Sequence, residues 1–293
     1  MIQHKRYIVV IRHGQRIDET CPESVNGNEA EYWDTGLTEK GKLDSHHTGY
    51  KLMEYLHQQG IVDQLVEQRV SSQEHSPDLH LPNIQLMSSL FYRCLQTTQF
   101  LKRGMLDYLE GSLKESDTSS QQNSRVRTVF EQLAKQLGSS RTLVEDACSE
   151  KIAKLPVSSL HNLRLLKTPI ETTSEFGSLD LVINSSFAYG DKDIDLILLR
   201  EFRTNMDIID VCQQFYSKLS LKLFADNIDV MVVVAHGMYV KTLMWDLQVD
   251  MNVSMKTVPY SSCSVVELTH ETIISSNEQP SIERRPLLIN MLL

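Results

Sequence analysis

The sequence has no CxxC pair, no internal repeat, no excess of basic charge and no apolar run long enough to span a bilayer. Its five cysteines, Cys21, Cys94, Cys148, Cys212 and Cys263, are scattered, with neither metal-ligand spacing nor a disulfide framework. That pattern predicts reduced thiols in a cytoplasmic protein. The apolar part of the N-terminal MIQHKRYIVV is too short for a signal peptide, and no membrane partner is expected. With 38 acidic against 29 basic side chains the net charge is −9, which argues against nucleic-acid binding. The same imbalance gives a phosphorylated substrate no long-range attraction. Any anion site must come from local clustering of Arg and His.

What is present is a chain of 293 residues, 41% hydrophobic, enough for a sizeable core. Its most informative stretch is Tyr7 to Asp18, YIVVIRHGQRID. Ile8 to Ile11 form a continuous β-branched run, the pattern of a strand buried on both faces. It delivers Arg12, His13 and Gly14, then Gln15 and Arg16. In open α/β sheets ligands bind beyond the carboxyl ends of the strands. A histidine that can attack, arginines that can hold phosphate oxygens and a glycine that admits close approach together point to phosphate chemistry.

Further along, Thr38 is a plausible N-cap for a helix that runs to Gly60, and Asn83 to Met87 is a strand running into Ser88-Ser89 and a helix that carries Arg93. Thr142 to Asp146 reads as a strand ending on a carboxylate. Met206 to Leu223 reads as a helix. Val230 to Ala235 is the strongest strand signal and ends in His236-Gly237, with a helix after it and a last strand over Ser264 to Leu268. Alternating strands and helices predict an α/β fold, a three-layer α/β/α sandwich with a largely parallel central sheet. The expected organisation is one domain over 1–293, with a flexible insertion at about 112–140 and a peripheral tail at about 271–293. The segment 151–192 has no readable pattern.

Two strands thus end in His-Gly, a third leads to Arg93 and a fourth to Glu145, and parallel strands align such ends along one edge. The ordered series Arg12-His13-Gly14, Leu37-Thr38-Glu39-Lys40-Gly41, Ser88-Ser89-Leu90-Phe91-Tyr92-Arg93-Cys94-Leu95-Gln96-Thr97 and Val234-Ala235-His236-Gly237 resembles the successive motifs of the histidine phosphatase, or phosphoglycerate mutase-like, superfamily. The resemblance covers roughly residues 5 to 270. It implies that His13 is the nucleophile and forms a phosphohistidine that water hydrolyses. It implies further that Arg12 and Arg93 grip the phosphate, that His236 donates a hydrogen bond to the phosphoryl group, and that Glu145 protonates the leaving oxygen. Asp146 is the competing acid, with Glu131 and Glu150 nearby.

Mutases of the superfamily tend to carry asparagine seven residues after the first arginine of the motif; Glu19 stands there in this chain. Arg16, four residues on, resembles instead the branch of the suppressor-of-T-cell-receptor-signalling phosphatases, whose second arginine contacts phosphate. The bland alternative is that Arg16 and Asp18 simply pair with each other. The expected activity is hydrolysis of phosphomonoesters, of a small molecule or a phosphoprotein, with no metal and no cofactor. A phosphomutase and an inactive phospho-ligand-binding scaffold are the alternatives, and the sequence sets no oligomeric state.

Overall fold

The computed structural model describes residues 4–20, 35–72, 81–89, 91–115, 123–144, 181–183, 208–247, 258–270 and 282–291. Among them a seven-stranded sheet is flanked on both faces by helices, the α/β/α sandwich that the sequence predicts. The strands are β1 (His4–Arg12), β2 (Ile84–Ser88), β3 (Thr142–Val144), β4 (Leu181–Ile183), β5 (Val230–Ala235), β6 (Cys263–His270) and β7 (Ile282–Met291). The helices are α1 (Ile17–Thr20), α2 (Glu39–Gln58), α3 (Ile61–Ser72), α4 (Tyr92–Glu115), α5 (Asn123–Ser139), α6 (Ile208–Ala225) and α7 (Gly237–Asp246). The sheet order is β4-β3-β2-β5-β1-β6-β7. Its first five strands run parallel, and β6 lies antiparallel to both β1 and β7.

The β-branched run of β1 explains its central place. Tyr7, Val9 and Ile11 enter a core shared with α2, α3, α4 and α5, while Ile8 and Val10 enter a second core with α6 and α7. Strand β5 divides in the same way, Val230, Val232 and Val234 to one side and Met231, Val233 and Ala235 to the other. Each such aliphatic side chain contributes about 1.5–3 kcal/mol by leaving water. A strand buried on both faces needs no polar alternation, which is why both read as unbroken apolar runs. At the amino ends of these strands Arg6 pairs with the buried Asp229, whose other oxygen accepts from the Asn83 amide at 2.7 Å.

The register aligns the carboxyl ends. Arg12 stands opposite Ala235, and Ser88 opposite both Val234 and Val144. The next residues are His13, His236 and Ser89, so three chemically active side chains emerge at one edge.

Two stretches carry structure where the sequence is read as an insertion and a peripheral tail, the first of them over Val126 to Leu137, whose sequence has a helical pattern. Within 112–140, α4 continues to Glu115, and α5 packs Val129, Phe130, Leu133 and Leu137 into the core. This apolar face outweighs the polar composition around it. In the tail, Ile282–Met291 form an edge strand. Its Pro286 and charged Glu283, Arg284 and Arg285 suit an edge, where one side of the ladder needs no partner. No helix among the described residues is long and apolar enough to cross a membrane.

Candidate active site

The loop after β1 is held from three sides. The His13 amide donates to Ala235 O at 3.0 Å and the Arg12 amide to Ser262 O at 3.1 Å. The Gly14 amide donates to Thr97 Oγ1 at 2.9 Å, and the Thr97 hydroxyl donates to Arg93 O at 2.7 Å. Thr97 thereby couples the loop to the helix turn that carries Arg93. Gly14 also sits against α2, where a Cβ would come within 2.7 Å of Gly41 O and 2.8 Å of Ser45 Oγ. Thr38 caps α2 by accepting from the Gly41 amide at 2.9 Å, and Gly41 in turn abuts the Gln15 backbone. The Leu37–Gly41 motif is thus a seat for the histidine loop. Gln96 completes it by accepting from the Leu37 amide at 2.7 Å.

His13 is 4% exposed, and its Nδ1 lies 2.9 Å from Gly14 O. A carbonyl only accepts, so Nδ1 carries the proton and Nε2 holds the lone pair. Burial, then the charge of Arg93, lowers the pKa of His13 well below its ordinary value; Arg12 and Arg16 act in the same direction, and the Gly14 bond opposes them. The ring is therefore neutral near pH 7, with Nε2 ready to attack. Among the described residues Nε2 has no hydrogen-bond partner.

The rings of His13 and His236 meet edge to face with centroids 5.3 Å apart. His236 Nε2 lies 3.0 Å from Ser89 Oγ, and its Nδ1 lies 3.4 Å from Arg93 Nη2. Arg93, 1% exposed, stacks its guanidinium 4.3 Å from the Phe91 ring centroid. Arg12 donates to Val258 O and lies 3.8 Å from the Tyr260 ring centroid. Its Nε is buried with no hydrogen-bond partner among the described residues, and it faces no carboxylate there. Such a cation calls for an anionic ligand.

Arg16 is held differently. Its Nε donates to Asp18 Oδ1 at 3.0 Å and its Nη2 to Asp18 Oδ2, and Glu19 Oε1 lies 3.5 Å from Nε. The pairing with Asp18 named above as the bland alternative is present. Nη1 has no partner among the described residues, and the charge of Arg16 still acts on His13. Asp18 itself is 6% exposed and also accepts from Thr35 Oγ1.

Five of the six predicted site residues, Arg12, His13, Arg16, Arg93 and His236, thus converge at the carboxyl edge of the sheet. Glu145, its rival Asp146, and Glu150 lie outside the described residues. Glu131 is an exposed partner of Arg127 on α5, at 3.0 Å. Four further side chains had no assigned role in the sequence. Thr97 and Ser89 lie inside the motif around Arg93, Asp18 reads in the sequence only as an ion-pair partner of Arg16, and Tyr260 carries no sequence signal. Tyr260 is presented by Ser261, whose φ of 55° is left-handed and which is clamped by Thr48 Oγ1 donating to Ser261 O at 2.9 Å.

No known family model and no curated protein matches the chain. Similar solved structures include the ecdysone phosphate phosphatase from Bombix mori in complex with tungstate, with a TM-score of 0.47 and 14% identity over 94% of this chain and 97% of that one. A phosphoglycerate mutase from Bacillus anthracis aligns over 99% of this chain and 95% of that one, with a TM-score of 0.43 and 15% identity. A mycobacterial glucosyl-3-phosphoglycerate phosphatase in complex with VO3 aligns over 97% and 98%, with a TM-score of 0.41 and 13% identity. Likenesses of this size assign no residue a role.

Proposed function

We propose that the protein is a phosphomonoesterase of the histidine phosphatase superfamily, working through a phosphohistidine on Nε2 of His13. The observation that carries this reading is a buried, neutral histidine whose Nδ1–H is committed to Gly14 O, set among Arg12, Arg93 and His236. Nε2 attacks phosphorus, the bond to the ester oxygen breaks, and that oxygen leaves with a proton. Water then attacks the phosphohistidine, releasing phosphate and restoring the imidazole. Phosphoryl transfer has a highly charged transition state, so fixed cations and donors supply most of the catalysis. Arg12 and Arg93 hold the nonbridging oxygens. His236 stands beside them as a ring N–H donor: its Nδ1 accepts from Arg93 Nη2, which can only donate, and is freed to carry a proton toward the phosphate when Arg93 turns to the nonbridging oxygens, with the Ser89 hydroxyl at Nε2 able to donate or accept. Glu145 is the acid for the leaving oxygen, with Asp146 its rival. Arg16 brings Nη1 to the phosphate, the feature shared with the suppressor-of-T-cell-receptor-signalling branch.

The test is turnover of an aryl phosphate in the presence of a metal chelator, with acid-labile phosphoenzyme trapped during turnover. The His13→Ala variant should fold and lose several orders of magnitude in rate. Substantial activity in folded His13→Ala overturns the assignment. Tight phosphate binding with no turnover by the native protein means a phospho-ligand-binding scaffold. Transfer to an added alcohol in preference to water means a mutase.

A further inference from the structure

Among the described residues, one carboxylate beside the arginines belongs to neither the nucleophile loop nor the ion pair of Arg16 with Asp18. Glu19, on α1 just beyond the histidine loop, accepts a hydrogen bond from the Tyr260 hydroxyl and lies 3.5 Å from Arg16. The Tyr260 ring lies 5.5 Å from the His13 ring and stacks on Arg12, so its hydroxyl end holds Glu19 within a side chain's length of the nucleophile. Burial and the bond to Glu19 push the Tyr260 phenol up to about 12, which keeps it a donor over the working pH range.

The local charge does not cancel. Asp18, buried and bonded through both oxygens, already matches Arg16. Once a dianionic phosphoryl group matches Arg12 and Arg93, Glu19 is the carboxylate left over, and its side chain is 41% exposed. A phosphoryl group at His13 sits among the arginines. Tyr260, beside both His13 and Arg12, and the Glu19 bonded to it are then neighbours of that group and of the alcohol attached to it.

From this arrangement we infer that Glu19, tethered by Tyr260, is a specificity residue that selects phosphomonoesters whose alcohol carries no second anionic group. This rests on the phosphatase reading for what enters the pocket, but its test does not require turnover. Phosphorylated carboxylic acids and bisphosphates would bring a second negative charge against Glu19. Phosphate esters of uncharged or cationic alcohols would not. Two like charges about 8 Å apart at a half-exposed site interact by an amount worth about fivefold in affinity.

The experiment compares binding of two non-hydrolysable analogues, phenylphosphonate and 4-carboxyphenylphosphonate, by titration calorimetry at low and high salt. The native protein should favour phenylphosphonate by about fivefold at low salt, and the preference should shrink at high salt because exposed charges are screened. Glu19→Gln should remove most of the preference while both analogues still bind. An unchanged ratio in Glu19→Gln, an equal loss of both analogues, or a ratio insensitive to salt overturns the inference. Binding of neither analogue overturns it together with the anion pocket. Turnover of phenyl phosphate is measured alongside. Its absence with the binding preference intact breaks the phosphatase reading and leaves the selection by Glu19 standing.

Discussion

The amide of Gly14 donates to the hydroxyl of Thr97 across 83 residues of sequence, at 2.9 Å, and both residues are buried. The same glycine accepts from His13 Nδ1 through its carbonyl. One residue therefore transmits the position of α4 to the orientation of the candidate nucleophile. Replacing Thr97 with valine keeps the shape and removes the acceptor. The unpaired buried amide should cost about 1–3 kcal/mol, read as a lower denaturant midpoint. The rate should fall at least tenfold, as a displaced nucleophile requires. A Thr97→Ser variant, which restores the hydroxyl, should recover most of the rate.

Asp18 orients Arg16 through two hydrogen bonds. Asp18→Asn keeps one acceptor and loses the charge, so the guanidinium is freed from its fork geometry. Steady-state kinetics should show KM rising about tenfold with a smaller change in kcat, the signature of a lost ground-state contact. An equal fall in kcat with KM unchanged would assign Arg16 to the transition state alone.

His13 should show no protonation step near pH 6.5 in the ligand-free protein. Burial and the neighbouring arginines hold its folded pKa well below that value, whereas the unfolded chain takes up the proton near 6.5. Between those two pH values the unfolded state binds more protons, so this residue makes stability rise with pH across the window and adds no further change above it. Nitrogen-15 shifts through a pH titration would read the tautomer directly, with the proton on Nδ1. A bound oxyanion such as vanadate should move the titration upward, since it offsets the arginines.

At the far end of the sheet, Asp229 is fully buried, pairs with Arg6 and accepts the Asn83 amide. Asp229→Ala leaves Arg6 without its carboxylate and should cost about 3–5 kcal/mol. Activity per folded molecule should stay unchanged, because the pair lies at the amino ends of strands whose carboxyl ends form the site. Chemical denaturation and active-site titration separate the two quantities.

Much of this arrangement was legible in the sequence, for identifiable reasons. Strands β1 and β5 are buried on both faces, and a residue run with no polar member admits few other readings. The α2 start carries its own chemistry in Thr38 and Gly41. Helix α3 follows too closely on Gly60 to stand apart from α2 in the sequence, although Ile61, Val62, Leu65 and Val66 have helical spacing and are all buried. Strand β4 has three residues, too few for any periodicity. Strand β7 hid behind Pro286 and its charges, which mark an edge as readily as a loop. At the site, His13, His236, Arg12 and Arg93 follow strand ends or open a helix, positions that a pattern marks. Tyr260 stands in a loop shaped by the backbone of Ser261, and nothing in composition signals a ring stacked on a guanidinium. The contribution of Glu19 depends on how one guanidinium is divided between two carboxylates, which only the folded geometry expresses.

The register between β1 and β5 makes the site intolerant of length change. Each strand residue advances the chain by about 3.3 Å and reverses the side to which its side chain points. One residue inserted within Tyr7–Ile11 would either carry His13 away from His236 or exchange the two cores by turning every apolar side chain through the sheet. Substitutions in these strands can be absorbed by repacking; a change of count cannot. Asp18 and Tyr260 stand outside these strands and their register, so diversity in length belongs where they stand, where a partner molecule is chosen, and not in the strands that set the reacting atoms.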